Sequence, residues 1–185
     1  TTFVTKFMLR GAVFGGQLSW PTRPGEALQE LRNGLLEQPD FARETDRFVT
    51  VLFGQLTPRT GLLRLASAGH PTPFIVRSGS VERPLLMTEP PIGVELDAAL
   101  EPYPTEVVRL YRDDLIVLFT DGIAELRDDA GTFFESCIDE VLAGTHGARA
   151  ADVVARLVSA GERFSSRPPA DDLAVLCIRL TAETE

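Results

Sequence analysis

Cysteine is scarce in this chain: two residues among 185, Cys137 and Cys177. Neither belongs to a C-x-x-C pair and both sit in apolar runs, so a disulfide framework is excluded. Both read as small buried hydrophobes in a reducing compartment. Long hydrophobic runs are missing too. No stretch approaches the roughly 20 apolar residues of a membrane span, and no signal peptide is visible. The expectation is a cytoplasmic protein with no membrane partner. Positive charge is in deficit, 18 Lys and Arg against 27 Asp and Glu, for a formal net charge of -9. That balance argues against a nucleic-acid backbone or an anionic membrane as the main partner. There is no Gly-rich strand-to-helix loop with a phosphate-binding Lys, which removes a nucleotide-binding domain from consideration. Internal repeats, low-complexity segments and interdomain linkers are also absent. The chain lacks an initiator Met and opens on an amphipathic pattern, so the native chain is expected to start earlier.

What remains is an ordinary globular composition, 44% hydrophobic and 24% charged. The length suits one domain spanning 1–185, with a polar tail over 181–185. Residues 1–16 carry apolar positions at Phe3, Val4, Phe7, Met8 and Ala12, which favours a helix ended by Gly15-Gly16. A turn follows near Trp20-Pro21. Thr22 is placed to cap a second helix with Pro24 in its first turn and a stripe at Ala27, Leu28, Leu31, Leu35 and Leu36. The texture then changes to short runs between turn residues: Phe48 to Leu56, Leu62 to Ser67, Pro73 to Arg77 and Val81 to Leu86. Such spacing predicts an antiparallel meander. Pro90 and Pro91 keep Thr88 to Val94 from being a central strand. Val107 to Leu110 is a further strand candidate. Leu115 to Thr120 (LIVLFT) reads as a strand buried on both faces, and Leu173 to Leu180 (LAVLCIRL) as a final buried strand. Phe133 to Ala143 and Ala150 to Phe164 read as helices, the second with Ala151, Val154, Leu157, Val158 and Gly161 on one face.

The chemistry gathers at two strand ends. Asp121 and Gly122 follow LIVLFT directly, and Asp171-Asp172 directly precede LAVLCIRL. If these strands are antiparallel neighbours, Asp121 and Asp171 meet at one sheet edge across a separation of 50 residues. Carboxylates so gathered need a cation, and hard oxygen donors suit Mg²⁺ or Mn²⁺. The competing reading is plain turn chemistry, for which Asp and Gly are common residues. His70, in Ala68-Gly69-His70-Pro71, has no ligand partner near in sequence and reads as structural. His146 reads as an exposed loop residue, and Asp113-Asp114 as a turn before a strand. A haloacid-dehalogenase-type nucleophile requires a second Asp two residues after the first, and Ile123 stands there instead.

Five stretches, in order, resemble the SpoIIE/RsbU branch of the metal-dependent protein phosphatases, the PPM or type 2C superfamily. They are Arg47 to Val51, Leu65 to Pro73, Pro90 to Val94, Leu118 to Glu125 and Pro169 to Val175. The resemblance implies an α+β fold, an αββα sandwich of two antiparallel sheets flanked by helices. It implies hydrolysis of phosphoserine or phosphothreonine with two divalent ions, Mn²⁺ or Mg²⁺. By position, Asp121 and Asp171 become catalytic metal ligands, and Gly122 the motif glycine of the metal site. The implied substrate is a phosphorylated anti-anti-sigma-type protein in bacterial stress or sigma-factor signalling, with sensor domains upstream. Dimerisation is left open. One departure stands out: the family's earlier G-D-V-x-G-x-G type motif, whose Asp bridges both metals, does not occur in this sequence. The chain therefore reads as N-terminally incomplete, or alternatively as a non-catalytic pseudophosphatase module of the same fold.

Overall fold

A computed structural model describes residues 23–37, 48–94, 103–169 and 172–181. The helix expected over 1–16, the turn at Trp20-Pro21, the proposed cap Thr22, the tail beyond Thr181 and Asp171 lie outside the described residues. Contacts gather the chain into two compact units that interleave in sequence.

The first unit holds helix α1 (Pro24–Leu36) and strands β1 (Val51–Thr57), β2 (Leu62–Ala68), β5 (Thr88–Glu89) and β6 (Glu106–Arg109). Pro24 opens α1, where its fixed φ and missing N–H do no harm. That puts the N-cap at Arg23 rather than Thr22, and no side chain caps the helix. The Thr105 hydroxyl instead accepts from the Gly25 amide at 2.9 Å. Leu28 is fully buried against Val51, Ala66, Ala68, Ile92 and Tyr103, with Leu31 and Leu35 half-buried beside it. Strand β2 is the hub of the sheet. It pairs antiparallel with β1 along its whole length, Val51 opposite Ala68 and Thr57 opposite Leu62. On its other side it pairs antiparallel with β6 and, at Ser67 and Ala68, parallel with β5. The parallel contact departs from the expected meander. It is two residues long because Pro90 has no N–H to continue the ladder.

The second unit is built on strands β3 (Phe74–Arg77), β4 (Ser80–Glu82), β7 (Leu115–Phe119) and β8 (Val175–Arg179), in the order β4-β3-β7-β8 and antiparallel throughout. Its helices are the single turn α2 (Asp121–Ala124), α3 (Ile138–Leu142) and α4 (Ala150–Phe164). All five residues of β7 are buried, as LIVLF predicts. Phe74 and Phe119 stack at 5.6 Å, and Phe134 meets Phe164 at 5.2 Å. Ile123, Ile138, Leu142, Val153 and Leu157 complete this core.

Four expectations change here. Strand β4 ends at Glu82, because Arg83 turns out to pair with Glu135 at 2.8 Å and Pro84 lacks a donor. Residues 133–143 are not one helix. Phe133 is held extended by a bridge to Arg127, so a 3-10 turn (Phe134–Cys137) precedes α3. The Ser136 amide and hydroxyl both donate to the Phe133 carbonyl, at 3.2 and 2.8 Å. Strand β8 is half-buried at every position, since among the described strands it pairs with β7 alone. The buried stripe of α4 is Val153, Leu157 and Gly161, an i, i+4, i+8 row, and Ala151 is exposed.

Candidate metal centre

Asp121 is half-buried at the end of β7, where it starts α2. Its Oδ1 accepts from the Gly122 amide at 3.1 Å, and its carbonyl accepts from the Glu125 amide at 2.8 Å. Gly122 and Ile123 are buried behind it. The carboxylate is therefore aimed by its own turn.

Strands β7 and β8 are antiparallel neighbours, with Phe119 opposite Val175. The end of one meets the start of the other, as the two motifs require. Pairing continues past the strand ends through Thr120, a buried side chain. Its amide donates to the Ala174 carbonyl at 3.0 Å, its hydroxyl donates to the Asp172 carbonyl at 2.9 Å, and the Ala174 amide donates back to that hydroxyl at 2.9 Å. The residue before Asp121 is thus joined to the residue after Asp171. Asp171 itself lies outside the described residues, and among the described residues no three His, Cys, Asp or Glu side chains form a metal-holding group. Asp121 is a hard oxygen donor, and its chemistry fits Mg²⁺ or Mn²⁺.

His70 is buried in the turn after β2. Its amide donates to Ser67 Oγ at 3.3 Å, and that hydroxyl donates to the His70 carbonyl at 3.2 Å. Gly69 takes φ of 65° beside Pro91. Asp113 and Asp114 are more than a turn. Asp113 sits at φ of 70° and accepts on Oδ1 from Arg179 Nε and Nη2, at 3.1 and 2.5 Å. The Arg179 guanidinium holds this carboxyl below the ordinary Asp range. Asp114 is 3% exposed. Its carboxylate takes the Tyr111 amide at 2.9 Å and stands 3.7 Å from His146 Nε2 and 3.8 Å from Arg77 Nε. His146 is thus half-buried beside a carboxylate, not the exposed loop residue expected.

The family model for stage II sporulation protein E (SpoIIE) matches residues 2–181 of this chain. The chain belongs to the SpoIIE family. The fold of this SpoIIE-family chain is also that of solved PP2C-type phosphatase domains. The RsbU and RsbW domains of a Mycobacterium tuberculosis protein share 22% identity at a TM-score of 0.68, over 90% of this chain and 44% of that one. The SiaA PP2C domain of Pseudomonas aeruginosa shares 17% at a TM-score of 0.68, over 85% and 61% respectively. The Mn-presoaked phosphatase domain of Bacillus subtilis SpoIIE shares 17% at a TM-score of 0.61, over 92% and 78%. The SpoIIE-family chain thus spans less than half of the mycobacterial chain. No curated protein sequence matches it. Its two sheets are the mainly antiparallel sheets of the α+β PPM fold. No helix among the described residues is long and apolar enough to cross a membrane.

Proposed function

We propose that this chain is the catalytic part of a metal-dependent protein phosphatase that removes phosphate from Ser or Thr of a partner-switching regulator of the anti-anti-sigma type. The supporting observation is the register of β7 and β8, which puts Asp121 beside the segment leading into β8. Asp171 is covalently joined to Asp172 in that segment. Asp121 and Asp171 would hold divalent ions, Mn²⁺ or Mg²⁺, with Gly122 shaping the turn. When bound, such ions supply Lewis acidity toward a phosphoryl group and its attacking water. The chain's own part is to fix the carboxylates: the Gly122 amide orients Asp121, and the buried apolar β7 behind it limits its movement.

The test is hydrolysis of a phosphoserine peptide by the natural full-length protein with Mn²⁺. Asp121→Asn should lower kcat by about 100-fold or more, the scale of a lost electrostatic contribution at a reacting centre. Equal rates in the two proteins would falsify the assignment. A second reading, a pseudophosphatase that docks the regulator without turnover, draws on the absence of a bridging-Asp motif within the 185 residues. It predicts metal-independent binding of the regulator and no hydrolysis by the same full-length protein.

A further inference from the structure

Thr120 occupies the N-cap position of α2, where a threonine hydroxyl ordinarily accepts from a first-turn amide. Here it makes no such bond. The hydroxyl turns away from its own helix to the segment leading into β8, where it donates to the Asp172 carbonyl and accepts from the Ala174 amide, both at 2.9 Å. A hydroxyl is one of the few groups that can do both at once. The side chain is 3% exposed, so water does not readily replace these bonds. The result is a short cross-link between the residue before Asp121 and the backbone that follows Asp171.

We infer that Thr120 is a positioning residue for the metal site, its hydroxyl tying the turn that carries Asp121 to the backbone at Asp172 and Ala174. This rests on the phosphatase reading above. Two ligands from separate parts of the chain can share ions only if their spacing is held, and loss of such a support typically weakens metal affinity by about 10–100-fold. Valine keeps the shape of threonine but neither donates nor accepts. Serine keeps both functions.

Mn²⁺ binding by the natural full-length protein, measured by titration calorimetry, tests this directly. Thr120→Val should weaken binding by about tenfold or more, and Thr120→Ser should remain within about threefold of the natural protein. Thr145 supplies the control: it is also buried, and its hydroxyl donates to the Leu142 carbonyl at 2.7 Å. Thr145→Val should lower thermal stability and leave Mn²⁺ affinity unchanged. In metal-free protein, Thr120→Val should also speed hydrogen exchange at the Ala174 amide, whose acceptor it removes. Natural affinity in Thr120→Val overturns the inference, as does an equal loss in Thr145→Val. Should the valine variant not fold, Thr120→Ala, which also neither donates nor accepts, takes its place, and natural affinity there has the same meaning. Asp121→Asn separates the two levels. If it abolishes binding while Thr120→Val does not, only the positioning role fails. If it binds like the natural protein, or if the natural protein binds no Mn²⁺, the metal-site reading fails and the inference with it.

Discussion

Burial alone changes the chemistry of Cys177, which lies on β8 and whose thiol is pushed up to about 11. The thiolate is the reactive form, so alkylation of Cys177 at pH 7.5 should be far slower in native protein than after unfolding. Equal labelling rates in the two states would count against this. Gly69 makes a second case. An alanine there meets both a φ of 65° and the Pro91 ring, so Gly69→Ala should cost roughly 1–3 kcal/mol by urea denaturation. Single residues also mark the limits of reading by sequence. Asp121 stands out because it ends an unbroken apolar run, a pattern that needs no partner to be seen. Asp114 does not, because its partners Arg77 and His146 come from sequence positions 37 and 32 residues away, Arg77 brought in by the β3–β7 register and His146 by a loop whose Gly147 amide donates to the Asp113 carbonyl. The pair Asp113-Asp114 looks like an exposed turn until those contacts are known. Asp171 is equally legible as a motif, because Asp172 alone separates it from the apolar run that follows.

Elements were legible where one residue pattern determined them. Helix α1, strand β7 and helix α4 follow from Pro24, from LIVLF and from a 15-residue amphipathic stretch. The face of α4 was less clear, because small and β-branched residues occur all round it. Val153 is 1% exposed and Val154 is half-buried, so Val153→Ala should cost roughly 2 kcal/mol and Val154→Ala clearly less. Chemical denaturation of the two variants decides the orientation, and the reverse order would turn the helix. Other elements depended on long-range contacts. The Arg83–Glu135 pair that accompanies the end of β4, and the Arg127–Phe133 bridge that delays α3, each join residues the local pattern does not connect. The largely apolar β8 reads as interior, yet its place at the end of the described sheet leaves it half-exposed.

At the scale of the molecule, folding stability should depend on acid through the Asp113–Arg179 pair. The folded carboxyl sits below its ordinary value, chiefly because it accepts hydrogen bonds from Arg179. Its contribution is therefore fully present above the normal carboxylate range and is lost as pH falls through the lowered folded value. Denaturation midpoints should decline across that acid window, and Asp113→Asn should make the decline shallower. Asp152 is lowered in the same way, first by its hydrogen bond from Arg149, but this pair is exposed and should matter less. The overall class, α+β with two mainly antiparallel sheets, was legible from strand spacing together with family resemblance. The parallel seam between β2 and β5 was not, because two paired residues leave no periodic trace.

Strand β7 has a buried polar residue at each end, Asp114 before Leu115 and Thr120 after Phe119, both 3% exposed. Each is tied to the strand beside it: the Leu180 amide donates to the Asp114 carbonyl at 3.0 Å, and Thr120 bonds to Ala174. The five residues between them act as a ruler of fixed length. Sliding by one would turn every side chain over, and sliding by two would draw one polar end in among hydrocarbons and pull the other away from its partners. Adding or removing one residue in this interval therefore breaks one anchor or the other, and the distance from the Asp114 cluster to Asp121 cannot drift by small steps.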